Sequence, residues 1–178
     1  MGKKRKRWWA KLLAISLFAG SVYGGVRLSQ EYLCDIVVVG SSMEPTLGSG
    51  ERAIGIVSGH MGEIRRGDIL VFEPPFADAG RLYLKRVLGL PGETVLVKGD
   101  DVYINGDQLL EPYVAEEWSR DVGTYVFQVP EGHYLLLGDN RDASWDARHW
   151  DSPYVPADAI KAKAWATYWP FGGIRKIK

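Results

Sequence analysis

The stretch that indicates the fold runs Thr94-Val95-Leu96-Val97-Lys98-Gly99-Asp100-Asp101-Val102-Tyr103-Ile104-Asn105-Gly106-Asp107-Gln108-Leu109-Leu110. It holds two strand-like runs, Thr94–Val97 and Val102–Ile104, separated by a short polar turn. Asn105-Gly106 is typical of a type I′ hairpin turn, because both central residues of that turn need positive φ. Gln108–Leu110 then returns as a further strand. The stretch therefore predicts antiparallel pairing.

Short apolar runs of the same kind occur along the rest of the chain from about Glu31, with Gly and Pro turn residues between them. Short strands with frequent turns indicate a mostly β, antiparallel domain, whereas alternating strands and helices would indicate a parallel sheet. Residues 157–163 fit a strand or a short helix equally well. The predicted runs are Ile36–Val39, Ile69–Phe72, Leu82–Leu88, Tyr125–Val129 and Tyr134–Leu137.

Charge is distributed unevenly in this chain of 178 residues, although its formal net charge is zero. The first dozen residues carry six of the 22 basic side chains and no acid, which leaves 16 basic against 22 acidic residues beyond them. A basic block can bind nucleic acid. Here the basic run ends where an apolar stretch begins, which favours a membrane and argues against a nucleic-acid partner.

The apolar stretch runs from Trp8 to Leu28, and about 20 apolar residues span a bilayer. Basic residues stay on the cytoplasmic side, so the rest of the chain is expected outside. The sequence predicts a basic cytoplasmic tail at 1–7, a transmembrane anchor at 8–28 and an extracytoplasmic β-rich domain at 29–178. A cleaved secretory signal is the alternative, but the apolar stretch is longer than a usual signal core.

Two segments contain residues that can act together in a hydrolase. Ser42 lies in the turn Gly40-Ser41-Ser42-Met43-Glu44-Pro45, and Lys85 lies in a strand-like stretch with apolar neighbours on both faces. Serine is a weak nucleophile, and a lysine serves as its base if burial lowers the lysine pKa. Taken alone, Ser42 also fits a structural turn, and Lys85-Arg86 also fits two solvated cations on an edge strand.

A third segment, residues 138–148, is polar and contains two arginines and three aspartates. Such a set can form interlocked ion pairs that hold Ser144 in place beside a lysine amine. A plain surface loop is the alternative. The three histidines are scattered and Cys34 is the single cysteine, so we predict no metal site and no cofactor.

In this order and spacing, the segments resemble those of bacterial type I signal peptidases, the membrane-anchored Ser/Lys peptidases of family S26. The resemblance covers nearly the whole chain. It rests on the basic N-terminus and anchor and on four motifs: Ser42-Met43-x-Pro45-Thr46-Leu47, Arg66-Gly67-Asp68-Ile69, Lys85-Arg86-Val87-x-Gly89-x-Pro91-Gly92 and Gly138-Asp139-Asn140-Arg141-x-x-Ser144-x-Asp146.

The resemblance implies a role for each matching residue. Ser42 would be the nucleophile, Lys85 the general base and Ser144 the group that orients the lysine. The N–H of Ser42 would serve the oxyanion hole, with Ser41 as the second candidate donor. Supporting residues would be Asp139, Arg141, Asp146 and Arg148, with Asp146 and Arg148 paired. The substrate pocket would be lined by Ile36, Val37, Val38, Val39 and Met43.

The implied fold is an antiparallel β-sheet domain of the signal-peptidase type with one N-terminal transmembrane helix. The implied activity is removal of signal peptides from secretory preproteins after small residues of the Ala-x-Ala type, through an acyl-enzyme. The expected partners are those signal peptides, the lipid bilayer and nearby translocation machinery. The expected location is the bacterial plasma membrane, with one pass, a cytoplasmic N-terminus and the catalytic domain outside.

The chain departs from the family pattern at a few positions. Gly40 stands where some members carry a serine that contributes to the oxyanion hole, Glu93 replaces the usual Asp, and Ala147 replaces the usual Ser. The glycine expected shortly after Arg148 is not evident. Two alternatives stay open: a Ser/Lys peptidase dedicated to maturation in a conjugation or pilus system, and a non-catalytic, membrane-tethered β binding module.

Overall fold

The chain divides into two compact units, Met1–Leu33 and Cys34–Lys178. The computed structural model describes residues 16–27, 29, 31–74, 80–99, 101–114 and 123–177. Residues 16–27 are helical, and apolar side chains such as Leu17 and Phe18 are exposed on this helix. Within these ranges we find no helix with the length and apolar character that a bilayer crossing requires. The predicted tail at 1–7 and the first part of the predicted anchor, 8–15, lie outside the described residues.

Twelve strands occur in the described part of the chain, and 3-10 turns lie at Ser58–His60, Ala157–Ala159 and Phe171–Gly173. In chain order the strands are β1 (Leu33–Val37), β2 (Arg52–Val57), β3 (Ile69–Phe72), β4 (Tyr83–Gly89), β5 (Thr94–Lys98), β6 (Asp101–Ile104), β7 (Asp107–Leu109), β8 (Thr124–Gln128), β9 (His133–Leu137), β10 (Tyr154–Pro156), β11 (Ile160–Trp169) and β12 (Arg175–Lys176).

The strands form two sheets. The larger sheet has the order β1-β2-β11-β3-β4-β9-β10, with β12 paired to β11, and the smaller sheet has the order β7-β6-β5-β8. The ladders from β2 to β10 in the larger sheet and all three ladders of the smaller sheet are antiparallel. The prediction of a mostly β, antiparallel fold is therefore confirmed.

Strand β3 explains how the larger sheet is held. All four of its residues are buried, and they alternate between two hydrophobic clusters. Leu70 and Phe72 pack in a core that also contains apolar residues of the smaller sheet, such as Val95 and Phe127. Ile69 and Val71 pack in a second cluster with residues of β1, β2 and β11. A strand with two buried faces is fixed in register, and it pairs directly with β4.

Most predicted strands lie within one or two residues of their observed bounds, and the differences have local causes. The predicted strand Ile36–Val39 ends instead at Val37, shortly before Gly40 turns the chain with φ +89°. Residues 157–163 contain both predicted alternatives, since a 3-10 turn precedes strand β11. Strand β2 was not predicted, because Gly55 interrupts its apolar pattern. A Cβ there would lie 2.7 Å from Ile36 Cδ1, so close packing of β1 requires glycine.

Candidate active site

Ser42 lies in a tight turn whose backbone is held by hydrogen bonds and by buried apolar side chains. Two backbone hydrogen bonds close the turn. The Gly50 N–H donates to the Val38 carbonyl at 2.9 Å, and the Val38 N–H donates to the Glu51 carbonyl. Met43 and Leu47 are 1% and 0% exposed, and the Leu47 N–H donates to the Met43 carbonyl. Buried apolar side chains on both sides of a polar turn hold its backbone in place, and Ser42 itself stays half-buried at the surface of the turn.

Lys85 lies in the middle of β4, which pairs with β3 on one side and β9 on the other. Lys85 is 3% exposed and Arg86 is 1% exposed, so both faces of the strand are covered at this point. The two cations are therefore not solvated on an edge strand. Buried charges at this depth require partners or a shifted pKa.

The Lys85 amine contacts the Ser42 hydroxyl. Lys85 Nζ donates a hydrogen bond of 2.7 Å to Ser42 Oγ. Burial strips water from the ammonium and lowers the pKa of Lys85 to about 8, with Arg148 acting in the same direction and the carboxylates of Asp146 and Asp139 opposing it. An amine with this pKa is about half neutral at pH 8, and it is then able to accept a proton from the hydroxyl it touches.

A cleft of about 830 Å³ opens beside this pair. All five residues predicted for the substrate pocket line it: Ile36, Val37, Val38, Val39 and Met43. Val37 and Val39 are 57% and 87% exposed, whereas Ile36 and Val38 are buried. Leu82, Tyr83 and Lys85 line it as well. The cleft thus places a β-strand edge and several small apolar surfaces next to the hydroxyl, an arrangement that suits an extended peptide.

Asp146 and Arg148 form the predicted ion pair. Arg148 Nε lies 2.9 Å from Asp146 Oδ1, and the two side chains are 1% and 0% exposed. The Gly138 N–H donates to the same carboxylate at 3.0 Å. Burial opposes ionisation of Asp146, but the hydrogen bonds and charge of Arg148 outweigh it, so the pKa of Asp146 is lowered. The pair fixes both ends of the segment that carries Ser144.

The Ser144 hydroxyl does not make the hydrogen bond to the lysine amine that its predicted role implies. The hydroxyl is buried, lies within electrostatic reach of Asp146, and makes no hydrogen bond of normal geometry within the described residues. It packs against Gly138, where a Cβ would stand 2.2 Å from Ser144 Oγ and 2.5 Å from the Ser42 carbonyl oxygen. Glycine at 138 therefore lets Ser144 and the nucleophile's backbone approach each other.

Asp139 and Arg141 differ from the prediction of ion pairs contained within residues 138–148. Asp139 binds Arg86, with Nε–Oδ1 at 2.8 Å and Nη2–Oδ2 at 2.7 Å, and both side chains are 1% exposed. Arg141 instead pairs with Glu111 at 2.5 Å. The segment is thus tied to two other parts of the chain, and Asp146 and Arg148 pair inside it.

Three residues of this site were not among the predicted site residues, although two of them stand in the quoted motifs: Arg86, Thr46 and Glu111. The Thr46 hydroxyl donates to Asp139 Oδ2 at 2.5 Å, so one carboxylate joins the nucleophile's turn to strand β4. The leucines at 84 and 88, on the same face of the strand, were a signal that Arg86 is covered and has a carboxylate partner. Glu111 lies 30 positions from Arg141, and no local pattern indicates that pairing.

Ser41 and Cys34 also line the cleft. The Ser41 carbonyl accepts the Glu44 N–H at 3.1 Å, which tightens the turn next to the nucleophile. Cys34 is half-buried, and burial raises the pKa of its thiol. Among the described residues we find no cluster of side chains able to hold a metal ion.

A buried amine hydrogen-bonded to a hydroxyl, beside an open cleft, is an arrangement that suits a serine hydrolase. The family model described as signal peptidase, peptidase S26, matches residues 6–169. The chain therefore belongs to the S26 signal peptidase family. It is a serine endopeptidase that removes signal peptides.

Two relatives matched by sequence agree with this assignment. The chain is 36% identical to signal peptidase I of Bacillus caldolyticus over 182 residues, which cover 95% of this chain and 93% of that protein. It is 37% identical to signal peptidase IB of Staphylococcus aureus strain COL over 151 residues, or 75% of this chain and 76% of that protein. A crystal structure of a signal peptidase I from Enterococcus faecalis V583 superposes with a TM-score of 0.49 and 31% identity, covering 58% of this chain and 97% of that chain.

Proposed function

We propose that Ser42 is the nucleophile and Lys85 the general base of this signal peptidase. The observation that carries the proposal is the 2.7 Å contact between Lys85 Nζ and Ser42 Oγ, made by an amine that is almost fully buried. Burial lowers the pKa of Lys85, so that a substantial fraction of its amine is neutral, as the reaction requires. The contact places this amine within hydrogen-bonding distance of the hydroxyl whose proton it removes.

The reaction proceeds in two halves. Neutral Lys85 takes the Ser42 proton as Oγ bonds to the substrate carbonyl carbon, and the carbonyl oxygen becomes an oxyanion. The ammonium then gives its proton to the departing amine as the C–N bond breaks, which leaves an acyl-enzyme. In the second half, water loses a proton to Lys85 and adds to the ester carbon, and Ser42 Oγ leaves with the proton as the new carboxyl terminus is released.

The oxyanion needs hydrogen-bond donors aimed at it. We assign the first donor to the Ser42 N–H and the second to Ser41, because the turn brings both to the cleft and Gly40 has no hydroxyl to offer. Replacing Ser41 with alanine is expected to slow acylation, whereas a loss of substrate affinity alone would contradict this role.

The substrate is expected to lie in the cleft as an added strand along β1. Ile36, Val38 and Met43 are buried and line the cleft, and apolar walls of this kind suit small apolar side chains of a substrate. We therefore assign to this chain a preference for small residues of the Ala-x-Ala type at the first and third positions before the cut. Enlarging either of these residues in a peptide substrate to leucine should abolish cleavage.

The supporting residues keep the two reacting groups in place. Asp139, Arg141, Asp146 and Arg148 hold residues 138–148 against β4 and the Ser42 turn. Ser144 is assigned to orient the amine once substrate covers the site. Ser144→Ala should slow cleavage less than Ser42→Ala, and an equally complete loss would contradict this assignment.

Attachment to the membrane is part of the proposal. The basic run Lys3–Arg7 precedes an apolar stretch, and the helical part of that stretch exposes apolar side chains such as Leu17, Phe18 and Val22. We place the N-terminus in the cytoplasm and residues 29–178 on the outer face of the bacterial plasma membrane, close to the translocation machinery that delivers preproteins.

The test is cleavage of a secretory precursor in detergent by four forms of the chain. Wild type is expected to release the mature protein, and Ser42→Ala and Lys85→Ala are expected to release none. Lys85→Arg should also fail, because arginine cannot give up its proton at working pH. Far-UV circular dichroism checks that the variants are folded. Turnover by folded Lys85→Arg would contradict the assigned base.

A further inference from the structure

A short segment that follows β7, residues 111–113, leaves the smaller sheet and reaches the buried charges of the larger one. The ring of Tyr113 lies 3.9 Å from Arg86 Cζ, measured to the ring centroid. The Tyr113 hydroxyl donates to Glu111 Oε1 at 2.7 Å. Glu111 pairs in turn with Arg141 at 2.5 Å, and both of these side chains are almost fully buried. The segment therefore contacts two arginines of the site at once.

Arg86 is the residue next to Lys85 and points to the opposite face of β4. One edge of its guanidinium binds both oxygens of Asp139. Asp139 Oδ2 also accepts a hydrogen bond from the hydroxyl of Thr46, which lies four residues after Ser42. The Arg86–Asp139–Thr46 chain therefore joins the strand that carries the amine to the turn that carries the hydroxyl.

The flat face of a guanidinium has no hydrogen-bond donors directed along its normal, and an aromatic ring stacked on that face excludes water and attracts the charge. At 3.9 Å the Tyr113 ring is in direct stacking contact with Arg86. Its hydroxyl is held by Glu111, which is itself fixed by Arg141, so the ring has little freedom to move away.

We propose that Tyr113, oriented by Glu111, is a positioning residue for the Ser42/Lys85 pair. Its ring holds Arg86 in the geometry that grips Asp139 and Thr46, and so keeps the amine and the hydroxyl at bonding distance. This inference rests on the proposed roles of Ser42 and Lys85. It gives the segment 111–113 a part in the reaction although none of its residues lines the cleft.

Loss of the ring has two expected consequences. The Ser42 turn and strand β4 become less firmly joined, so a smaller fraction of molecules has Ser42 Oγ within hydrogen-bonding distance of the Lys85 amine. The acylation rate therefore falls. The Asp139 carboxylate, which raises the pKa of Lys85, is also less well neutralised when Arg86 is free to move. Both greater hydration of the amine and a more negative neighbour raise the pKa of Lys85, so the pH profile moves to higher pH.

The experiment compares Tyr113→Leu, which removes the ring, with Tyr113→Phe, which keeps the ring and removes only the hydroxyl. Tyr103→Leu on β6 is the control for loss of a tyrosine from the smaller sheet. The measurement is the second-order rate of acylation by a serine-directed acylating inhibitor, with the full chain in detergent, from pH 6 to pH 10.5. Labelling that disappears in Ser42→Ala identifies the modified residue.

We expect Tyr113→Leu to react about tenfold more slowly than wild type at pH 7 and to show a midpoint about half a unit higher or more. Tyr113→Phe should stay within about twofold of wild type, with an intermediate or unchanged midpoint. Tyr103→Leu should leave both quantities unchanged.

A Tyr113→Leu profile that superposes on wild type overturns the inference. So does a loss by one constant factor at every pH with an unmoved midpoint, because that result reports only a smaller folded fraction. Equal losses for Tyr113→Leu and Tyr113→Phe overturn it as well, since phenylalanine keeps the ring. If Tyr113→Leu does not fold, Tyr113→Met is judged by the same outcomes. Failure of wild type to be labelled at Ser42 refutes the proposed function instead.

Discussion

Replacing Lys85 with methionine should stabilise this protein while it abolishes cleavage. Burial lowers the pKa of Lys85 from 10.5 to about 8. A difference of about 2.5 units corresponds to about 3 kcal/mol of unfolding free energy that the folded chain loses by burying the ammonium. Methionine has a similar shape and no charge. It forfeits the hydrogen bond to Ser42, worth about 1 kcal/mol, so the net gain at pH 7 is about 2 kcal/mol.

The gain must depend on pH in a defined way. Below the folded-state pKa of about 8, lysine is charged in both the folded and the unfolded chain, so the full destabilisation is present. Between pH 8 and pH 10.5 only the unfolded chain binds the proton, and wild type becomes more stable as the pH rises. Above the unfolded-state pKa the lysine is neutral in both states and the burial penalty is gone, so Lys85→Met should be less stable than wild type by about 1 kcal/mol, the contribution of the lost hydrogen bond.

Thermal unfolding of the full chain in detergent, followed by tryptophan fluorescence, measures this difference. For a domain of this size, about 2 kcal/mol corresponds to a rise in Tm of about 4–8 °C at pH 7. Lys85→Gln serves as a second variant in this experiment, because it removes the charge of the side chain and keeps a polar group. A Lys85→Met protein that melts below wild type at pH 7, or a gain that is equal at pH 7 and pH 10.5, would refute the idea that the amine is held in an unfavourable, water-poor environment.

Three further outcomes follow from the site geometry. The acylation rate of Ser42 should rise about tenfold from pH 7 to pH 9 and then level off, as the neutral fraction of Lys85 grows from about 9% to about 91%; a rate that still rises tenfold per unit above pH 9.5 would contradict the shifted pKa. Asp146→Asn leaves the buried Arg148 cation without its carboxylate and should cost about 3–5 kcal/mol, measured as a loss of Tm; an unchanged Tm would show that the pair is not structural. Gly138→Ala puts a methyl group 2.5 Å from the Ser42 carbonyl oxygen and should slow acylation about 100-fold, and acylation at the wild-type rate would show that the turn tolerates displacement.

Local sequence patterns predicted the fold well where a strand contains its own signal. Alternating apolar residues and turn dipeptides placed β3 to β9 to within one or two residues. Strand β2 lacks such a signal, because Gly55 is required by the approach of a neighbouring side chain and not by a turn. The short strands β10 and β12 exist through pairing with β9 and β11, so only the assembled sheet reveals them.

The candidate site shows a similar division. The motifs around Ser42, Lys85 and Ser144 indicated which side chains to inspect, and the structure brings all three to one region. The partners of Asp139 and Arg141 were not predictable, because Arg86 and Glu111 lie 53 and 30 positions away from them. Ion pairs between distant segments depend on the packing of two sheets, which no local pattern encodes.

The two groups of the proposed dyad lie on different kinds of backbone. The amine is carried by β4, which is paired on both edges, while the hydroxyl is carried by a turn that opens with Gly40 at φ +89°. A change of backbone at the hydroxyl would therefore disturb one turn, whereas a change at the amine would disturb two strand ladders. Engineering of cleavage preference should vary Val38, Val39 and Met43 and leave Ser41, Ser42 and β4 unchanged, since a changed strand would displace the proposed proton acceptor.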